Sequence, residues 1–371
     1  MMYHIITTPD CNLCCAYCAG KAFDEPEDAG NCLEFEPLPV KISYSMQDLN
    51  SFLAKDMEKK GLIFYGGEPL VALQSVKQVM DSVQADYFML QTNGILLNLL
   101  PKEYANRFHT IFVSIDGGKE RTNANRGEGT FERVTANLKL LRLNGFKGEI
   151  IARMTVEEPA GFFDDIQFLL ENKDFPFSSV HWQLDANMWH DYEKRNFSKW
   201  SKAYNNDVSK LVDYWLSELE KGNVLRLYPF MGLLDAILNK TQYHLPCGSG
   251  VGNFSILTNG EISACPIMAG VKDKYVGNIR ESTPSDLPFK ITVGGPCVSC
   301  EVFGYCGGRC LYSNIAKPWP EKGFREVCGT VKHLVKDMQR IRPKVKALLD
   351  NGTVKWEQLA FVKYNSAEII P

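Results

Sequence analysis

The sequence predicts an α/β fold, and three observations support that prediction. The 371 residues include 45% hydrophobic and 23% charged side chains, which is typical of a soluble globular chain. Short apolar runs alternate with helical patterns through the first two hundred residues. The twelve cysteines fall into two blocks, with none between Cys32 and Cys247. This length suits one large α/β domain with an appendage, or two domains.

Six apolar runs are predicted strands: Tyr3–Thr8, Leu62–Tyr65, Tyr87–Thr92, Thr110–Ile115, Glu149–Val156 and Val180–Leu184. Helical patterns lie between them, at Met46–Lys60, Leu70–Gln84, Lys102–Arg107, Phe131–Leu143 and Gly161–Asn172. Such βα repeats predict a parallel sheet with helices outside it, either an incomplete barrel or a doubly wound fold. In barrels of this kind the functional groups gather at the carboxyl ends of the strands.

The remaining elements are less regular. The acidic stretch Ala19–Tyr44 is predicted to be a loop over the mouth of the sheet. Helices are predicted at Asn196–Lys221 and Met231–Lys240, outside the barrel. Thr258-Asn259-Gly260 predicts a tight turn joining strands Asn253–Leu257 and Glu261–Ala264. A last helix, Thr330–Leu349, carries apolar residues at a spacing that indicates core packing.

Charge and cysteine content exclude several classes of protein. The net charge of −3 predicts no nucleic-acid partner and no anionic membrane surface. No apolar run approaches the roughly 20 residues of a membrane span, and the first residues are too short and uncharged for a signal peptide. We therefore expect a cytoplasmic protein, in which clustered cysteines serve metal or redox chemistry rather than disulfides.

The first cysteine block directly follows the first predicted strand. Cys11, Cys15 and Cys18 give the spacing C-x3-C-x2-C, which leaves Cys14 spare. Three thiolates can hold three corners of an iron–sulfur cluster and leave the fourth iron open, whereas an electron carrier supplies four cysteines. The alternatives are a zinc site completed by His4 or Asp10, and unrelated buried thiols.

This block resembles the defining motif of the radical S-adenosylmethionine (SAM) superfamily, carried here by Cys11, Cys15, Tyr17 and Cys18. The resemblance implies a [4Fe–4S] cluster whose open iron is chelated by the amino and carboxylate groups of SAM. It also implies that Tyr17 lies beside the adenine. In this superfamily the cluster delivers an electron that cleaves SAM into methionine and a 5′-deoxyadenosyl radical, and the protein positions and shields the reactants.

Further predicted SAM-binding residues follow other strands. Gly66, Gly67 and Glu68 resemble the motif of the family that receives the methionine amine. The pair Ser114 and Asp116 could bind ribose hydroxyls or cap a helix. Arg126 and Arg153 are candidates for pairing with the SAM carboxylate, or for structural ion pairs. Leu184 is a candidate for packing on the adenine.

The second cysteine block resembles the SPASM extension of radical SAM enzymes, which holds two auxiliary [4Fe–4S] clusters. The ligands implied for the outer cluster are Cys297, Cys300, Cys306 and Cys328, and those implied for the inner cluster are Cys247, Cys265 and Cys310. Taken alone, the four central cysteines Cys297, Cys300, Cys306 and Cys310 could also form a zinc ribbon. The fourth inner corner is either completed by His244 or open, and an open iron could bind a substrate thiolate.

Together the two resemblances imply a partial (βα)6 TIM-like barrel at 1–225, a SPASM domain at 226–335, and a C-terminal helix and tail at 336–371. The implied activity is radical modification of a peptide or protein side chain, either a cross-link or an oxidation. The sulfatase-maturating branch has an aspartate base where this chain has Pro266, which weakens that particular assignment. The sequence identifies no catalytic acid or base.

The resemblance also implies partners. These are the peptide or protein substrate and an external electron donor such as ferredoxin or flavodoxin. Because the first strand begins at Tyr3, an N-terminal leader-binding domain is expected to be absent. The substrate would then be recognised by a separate leader-peptide-binding protein, by the Ala19–Tyr44 loop, or by the Asn187–Tyr204 segment, which includes Trp189, His190 and Trp200. The alternative for the last segment is that it forms a solvated helix surface. The alternative functions are a maturase for a small-molecule cofactor precursor, and an iron–sulfur or zinc protein without SAM turnover.

Overall fold

The fold is an open sheet with helices packed around it, in a computed structural model that describes residues 1–18, 34–157, 161–175, 177–185, 192–242, 244–367 and 370–371. The strands are β1 (Met2–Thr8), β2 (Gly61–Gly66), β3 (Tyr87–Thr92), β4 (Phe108–Ser114), β5 (Glu149–Val156), β6 (Ser179–Leu184), β7 (Asn253–Ile256), β8 (Glu261–Ser263) and β9 (Tyr275–Asn278). The helices are α1 (Met46–Leu53), α2 (Leu73–Ser82), α3 (Lys102–Ala105), α4 (Lys119–Arg126), α5 (Thr130–Leu143), α6 (Phe162–Glu171), α7 (Phe197–Glu220), α8 (Tyr228–Asn239), α9 (Phe303–Cys306), α10 (Leu311–Ala316), α11 (Glu321–Asp350) and α12 (Trp356–Leu359).

The sheet order decides between the two architectures left open by the sequence. The strands lie in the order β6-β5-β4-β3-β2-β1-β7-β8-β9, and β1 to β6 are all parallel. A doubly wound sheet reverses its strand order in the middle, whereas here six strands follow the chain in one direction. The partial (βα)6 barrel with a cysteine-rich C-terminal region is therefore confirmed.

The predicted hairpin extends the barrel sheet. β7 pairs parallel with β1 on the side opposite β2, and β8 returns antiparallel to β7. The strand β9, which the sequence did not predict, adds to β8. Because β1 is buried along its whole length between two neighbours, the cysteine loop that follows it starts from a rigid strand.

The six barrel strands match their predicted positions within two residues, because each contains a largely buried core of apolar residues. Helix ends differ more: α1 stops at Leu53 rather than Lys60, and α11 begins at Glu321 rather than Thr330. Helix α4 was missed because its sequence, KERTNANR, has no apolar periodicity. The predicted boundary between 335 and 336 falls inside α11, which packs along α7 and α8.

The segment Asn187–Tyr204 was expected either to recognise a substrate or to be a solvated surface. Residues 187–191, including Trp189 and His190, lie outside the described residues. Trp200 and Tyr204 are buried, and their rings stack with centroids 5.3 Å apart. For these two residues both expectations are wrong, because α7 turns its aromatic face into the core. In the described parts of the chain, no helix is long and apolar enough to cross a membrane.

Candidate functional site

The first cysteine block forms a loop at the carboxyl end of β1, where the sequence predicted it. Cys15 is buried, Cys18 is half-buried, and Cys11 and Cys14 are exposed. Burial raises the pKa of the Cys15 thiol to about 11, with further contributions from Cys18 and Cys11. Each of these three thiols therefore lies within the electrostatic range of the others. No disulfide joins any of the eleven described cysteines.

Two glycines at the end of β2 let the cysteine loop pack against the sheet. A Cβ atom at Gly67 would lie 2.3 Å from the carbonyl oxygens of Pro9 and Asp10, and one at Gly66 would lie 2.2 Å from that of Thr8. The backbone instead forms hydrogen bonds there: Gly67 N–H donates to Thr8 O over 3.0 Å. These glycines are required because two backbones approach closely at this point.

Glu68 joins the cysteine loop to two strand ends from a fully buried position. Its backbone N–H donates to Asp10 O over 2.8 Å. Its carboxylate accepts hydrogen bonds from the Thr92 hydroxyl (2.8 Å) and from the N–H groups of Asn93 (2.7 Å) and Leu70 (3.0 Å). Burial raises the pKa of Glu68 to about 7, and the three hydrogen bonds lower it. Both carboxylate oxygens are thus engaged within the protein.

A second buried network supports the other side of the loop. Arg126 donates to both oxygens of Asp116, from Nε over 2.9 Å and from Nη2 over 2.8 Å. The Tyr17 hydroxyl also bonds to Asp116, and the Arg126 guanidinium lies over the Tyr17 ring, 5.3 Å from its centroid. Arg126 therefore forms the structural ion pair that the sequence left as an alternative, and it orients Tyr17 within the motif.

The pocket beside this loop has a volume of about 620 Å³, a size usual for small-ligand sites. Residues from the carboxyl-terminal halves of all six barrel strands line it, namely Ile6, Tyr65, Gly66, Gln91, Thr92, Ser114, Arg153, Thr155, Gln183 and Leu184. The segments 35–38 and 266–270 line its other wall. The predicted loop over the mouth is thereby supported for residues 35–38, while residues 19–33 lie outside the described part of the chain.

Arg153 presents a cationic group to this pocket. Its guanidinium donates to Ser366 O over 2.9 Å and to the Gln183 amide oxygen over 3.3 Å. Burial lowers its pKa, and among the described residues no carboxylate lies within ion-pair distance. Of the two arginines proposed for a ligand carboxylate, Arg153 is therefore the one whose charge is not already paired by an acidic side chain.

The thiols of the second cysteine block act electrostatically on one another, which can be described for each of the two groups that the resemblance implies. Burial raises the pKa of Cys297 to about 11, with added effects from Cys328 and Cys300. Burial also raises the pKa of Cys306 to about 12, where Arg309 opposes and Cys328 and Cys297 reinforce the shift. The four thiols predicted for the outer cluster thus influence one another.

The three thiols predicted for the inner cluster form the other group. Burial raises the pKa of Cys265 to about 12, and Cys310 and Cys247 raise it further. His244 is exposed, and its ring packs edge-on against Phe289 and Phe303, with centroids 5.8 and 6.0 Å away. The position of His244 does not support it as a fourth ligand of this group.

The chemistry of the thiol groups indicates what they could hold. A single zinc ion with Zn–S distances of about 2.3 Å would place its sulfur ligands only about 3.8 Å apart. Among the described residues, no group of three or more His, Cys, Asp and Glu side chains is arranged to hold a single metal ion. The donor chemistry of the thiol groups fits iron–sulfur clusters, in which each thiolate binds a different iron. His4, the other alternative ligand, is buried on β1, and its Nε2 atom lies 2.7 Å from the Ser366 hydroxyl.

Sequence reasoning missed several residues of the pocket. Glu36 reaches it because Glu36 N–H donates to Gly270 O over 2.8 Å, and its carboxylate accepts from the Tyr275 hydroxyl over 2.7 Å. Asn93 donates to the Asn12 side chain over 2.8 Å and so ties β3 to the cysteine loop. Gln183 follows the register of β6 and could have been found from its position near that strand's carboxyl end.

Known proteins resemble the chain in this region and beyond it. Residues 5–157 match the family model of the Radical SAM superfamily. A cysteine-type anaerobic sulfatase-maturating enzyme of Clostridium perfringens is 26% identical over 328 residues, covering 81% of this chain and 85% of the relative. The radical SAM cyclopropyl synthase TigE of Paramaledivibacter caminithermalis is 22% identical over 366 residues, covering 90% of this chain and 72% of the relative.

A solved structure has the same fold. The structure of native anSMEcpe with bound AdoMet and Cp18Cys peptide matches with a TM-score of 0.70 at 21% identity, covering 94% of this chain and 99% of that chain. The resemblance identified from Cys11, Cys15, Tyr17 and Cys18 is confirmed: residues 5–157 match the Radical SAM superfamily model, and the fold is similar to that of anSMEcpe over 94% of this chain.

Proposed function

We propose that this protein is a radical SAM enzyme with a SPASM extension that modifies a side chain of a peptide or protein. The observation that supports this most strongly is one pocket bordered by segments from both cysteine blocks. The first cysteine loop forms one wall, and Pro266, Ile267, Ala269 and Gly270, from the segment after Cys265, form another. A substrate in this pocket would lie between a SAM-binding cluster and an auxiliary cluster.

Residue roles follow from the contacts on the two sides of the pocket. Cys11, Cys15 and Cys18 hold the first cluster, leaving one iron for SAM. When bound there, the cluster and SAM supply a 5′-deoxyadenosyl radical that removes a hydrogen atom from an unactivated carbon. The backbone of Gly66 and Gly67 faces the methionine end of SAM, and Arg153 pairs with a carboxylate.

Other residues named from the sequence complete this assignment. Ser114 and Leu184 line the pocket, where they contact the ribose and the adenine. Glu68, Asp116 and Arg126 act through the loop that they hold, because their charged groups are engaged within the protein.

The second cysteine block receives the electron that the substrate loses. After hydrogen abstraction, a carbon radical that forms a double bond or a cross-link releases one electron and one proton. Cys247, Cys265 and Cys310 would hold the inner cluster, which would supply one-electron redox chemistry and whose fourth iron would be open to a substrate thiolate. Cys297, Cys300, Cys306 and Cys328 would hold the outer cluster, and a carrier such as ferredoxin or flavodoxin would remove the electron.

The similar proteins support a peptide substrate, and they are compatible with two types of product for this protein. The anSMEcpe structure contains a bound peptide, and the C. perfringens relative is a sulfatase-maturating enzyme of the cysteine type. TigE is a cyclopropyl synthase, which makes carbon–carbon bonds. Because Pro266 stands where the sulfatase-maturating branch has its aspartate base, we favour ribosomal peptide modification, with leader recognition by a separate protein.

Anaerobic reconstitution tests this proposal. After loading with iron and sulfide, we expect about twelve irons per chain from three clusters, and 5′-deoxyadenosine on adding SAM and dithionite. The variant C11A/C15A/C18A should keep about eight irons and form no 5′-deoxyadenosine. Cys14→Ala is the matched control, because Cys14 lies on the same loop and should change neither quantity. Zinc in place of iron, or no SAM cleavage by the loaded protein, would contradict the proposal.

The substrate can be sought with the same preparation. Peptides encoded by neighbouring genes are incubated with the loaded enzyme, SAM and dithionite, and their masses are measured. A loss of two hydrogen atoms from one peptide is expected, for either an oxidation or a cross-link. Modification of a small cofactor precursor and of no peptide would favour the alternative maturase.

A further inference from the structure

The inner group of thiols contains one side chain that the cysteine pattern does not include. Ser249 lies two residues after Cys247 and is only 6% exposed. Its Oγ atom lies 3.2 Å from Cys247 Sγ, and its hydroxyl also hydrogen-bonds to the Cys265 thiol. One buried hydroxyl is therefore shared between two of the three thiols.

Backbone donors add to this polar environment. The Ser313 N–H donates to Cys310 Sγ over 3.5 Å, and the Ile267 N–H meets Cys265. All three inner thiols thus have a donor close by. In the outer group, the Gly308 N–H meets Cys306, Cys297 faces the Asn314 side-chain oxygen at 3.2 Å, and no hydroxyl donor reaches Cys300 or Cys328 among the described residues.

Hydrogen bonds to cluster sulfurs change the reduction potential. Reduction adds a negative charge that spreads onto the thiolates, so a donor at the thiolate stabilises the reduced form more than the oxidised form. Burial has the opposite effect, because a low-dielectric site disfavours the added charge. A buried auxiliary cluster that accepts an electron therefore needs donors directed at its ligands.

We propose that Ser249 is a positioning residue for the inner auxiliary cluster: its single hydroxyl proton is donated to the thiolate of either Cys247 or Cys265, and this raises the reduction potential of that cluster. This inference rests on the proposed function, since it assumes that the three thiols hold a cluster. It gives the inner cluster a buried hydroxyl donor that favours its reduced form.

The test measures reduction potentials in the C11A/C15A/C18A background, which leaves only the two auxiliary clusters. The reconstituted protein is titrated anaerobically and followed by electron paramagnetic resonance. Ser249→Ala should lower one of the two potentials by about 59 mV, equivalent to a tenfold change in the reduction equilibrium, and leave the other in place. Ser249→Thr keeps the hydroxyl and should restore the parent value.

Ser255→Ala is the matched control. Ser255 is a fully buried serine on β7, and no described residue forms a hydrogen bond with its hydroxyl. Its replacement should leave both potentials unchanged. Unchanged potentials in S249A, or equal shifts in S249A and S249T, would overturn the role of the hydroxyl.

Iron content separates this inference from the proposed function. A parent background that retains no auxiliary iron would refute the proposed function itself. If S249A alone fails to retain the inner cluster while S249T retains it, the hydroxyl is required for assembly, which supports the inference. If both variants lose that cluster, the size of the side chain at position 249 is what matters for assembly, and the hydrogen-bonding role is refuted.

Discussion

Replacing Asp116 by asparagine should destabilise the protein more than any other single loss of charge at the site. Asp116 is fully buried, and Arg126, which donates to both of its oxygens, is 6% exposed. The variant keeps the side-chain shape but leaves the guanidinium without a counter-charge. Breaking a buried pair in this way costs about 3–5 kcal/mol, because the remaining charge is desolvated and uncompensated.

This cost predicts a measurable fall in thermal stability. The unfolding entropy of a chain of this length is about 0.8 kcal/mol/K, from about 2.1 cal/mol/K per residue. The loss therefore corresponds to a melting temperature about 4–6 °C lower, measured by circular dichroism on the reconstituted protein under anaerobic conditions. Asp81→Asn, which breaks the exposed ion pair with Arg107, is the control and should leave the melting temperature unchanged.

A double variant distinguishes the charge effect from lost packing. In D116N/R126M both charged partners are absent, and such replacements are close to neutral. The double variant should therefore melt above D116N alone. If D116N melts no lower than the Asp81 control, or if the double variant melts below D116N, the buried pair does not support the cysteine loop as argued.

Three further predictions concern the loop, the pocket and the barrel interior. Gly67→Ala should load about eight irons rather than about twelve, because its Cβ would lie 2.3 Å from Asp10 O and clash with it. The control Gly118→Ala, where the added Cβ has no atom within 4 Å, should load fully, and equal iron loading of the two variants would contradict the steric account. Arg153→Gln should weaken SAM binding roughly 10- to 100-fold in equilibrium dialysis, the value of a charged hydrogen bond, and unchanged affinity would exclude Arg153 as the carboxylate partner. Burial, and then Arg153, lowers the pKa of His4 to about 3. Below about pH 6.5 the unfolded chain therefore binds a proton at His4, whereas the folded chain does not. Stability should then fall by about 2 kcal/mol at pH 5, and urea unfolding should reveal a smaller loss for His4→Gln; equal losses would argue against His4 as the source.

The sequence predicted the strands because runs rich in apolar residues are local patterns. The assignment of cysteines to clusters came instead from the resemblance of the two cysteine blocks to a known family. The donors to Glu68 show the limit of such reasoning. Two of them, from Thr92 and Asn93, come from β3 and the residue after it, and no feature near Glu68 in the sequence indicates them.

The same limit explains why the sequence could not show which of the two arginines, Arg126 or Arg153, is available to pair with a ligand carboxylate. Arg126 is engaged by Asp116 because α4, a polar helix without apolar periodicity, brings it back over the strand end. Arg153 lies on a strand and is directed into the pocket by its register with Ser114 on β4. Only the tertiary arrangement of helix and strand decides which charge is available to a ligand.

The position of Tyr65 links the two cysteine blocks in space. Its ring packs edge-on against His4 with centroids 5.4 Å apart, and its side chain lines the pocket. Burial raises the pKa of Tyr65, Cys18 and Cys265 raise it further, and Arg153 opposes them. Because one thiol from each block affects the pKa of Tyr65, this residue lies near both blocks, although Cys18 and Cys265 are 247 positions apart in the sequence. Because β7 pairs with β1, the sheet itself brings the second block beside the first, and the pocket between them is a direct consequence of that pairing.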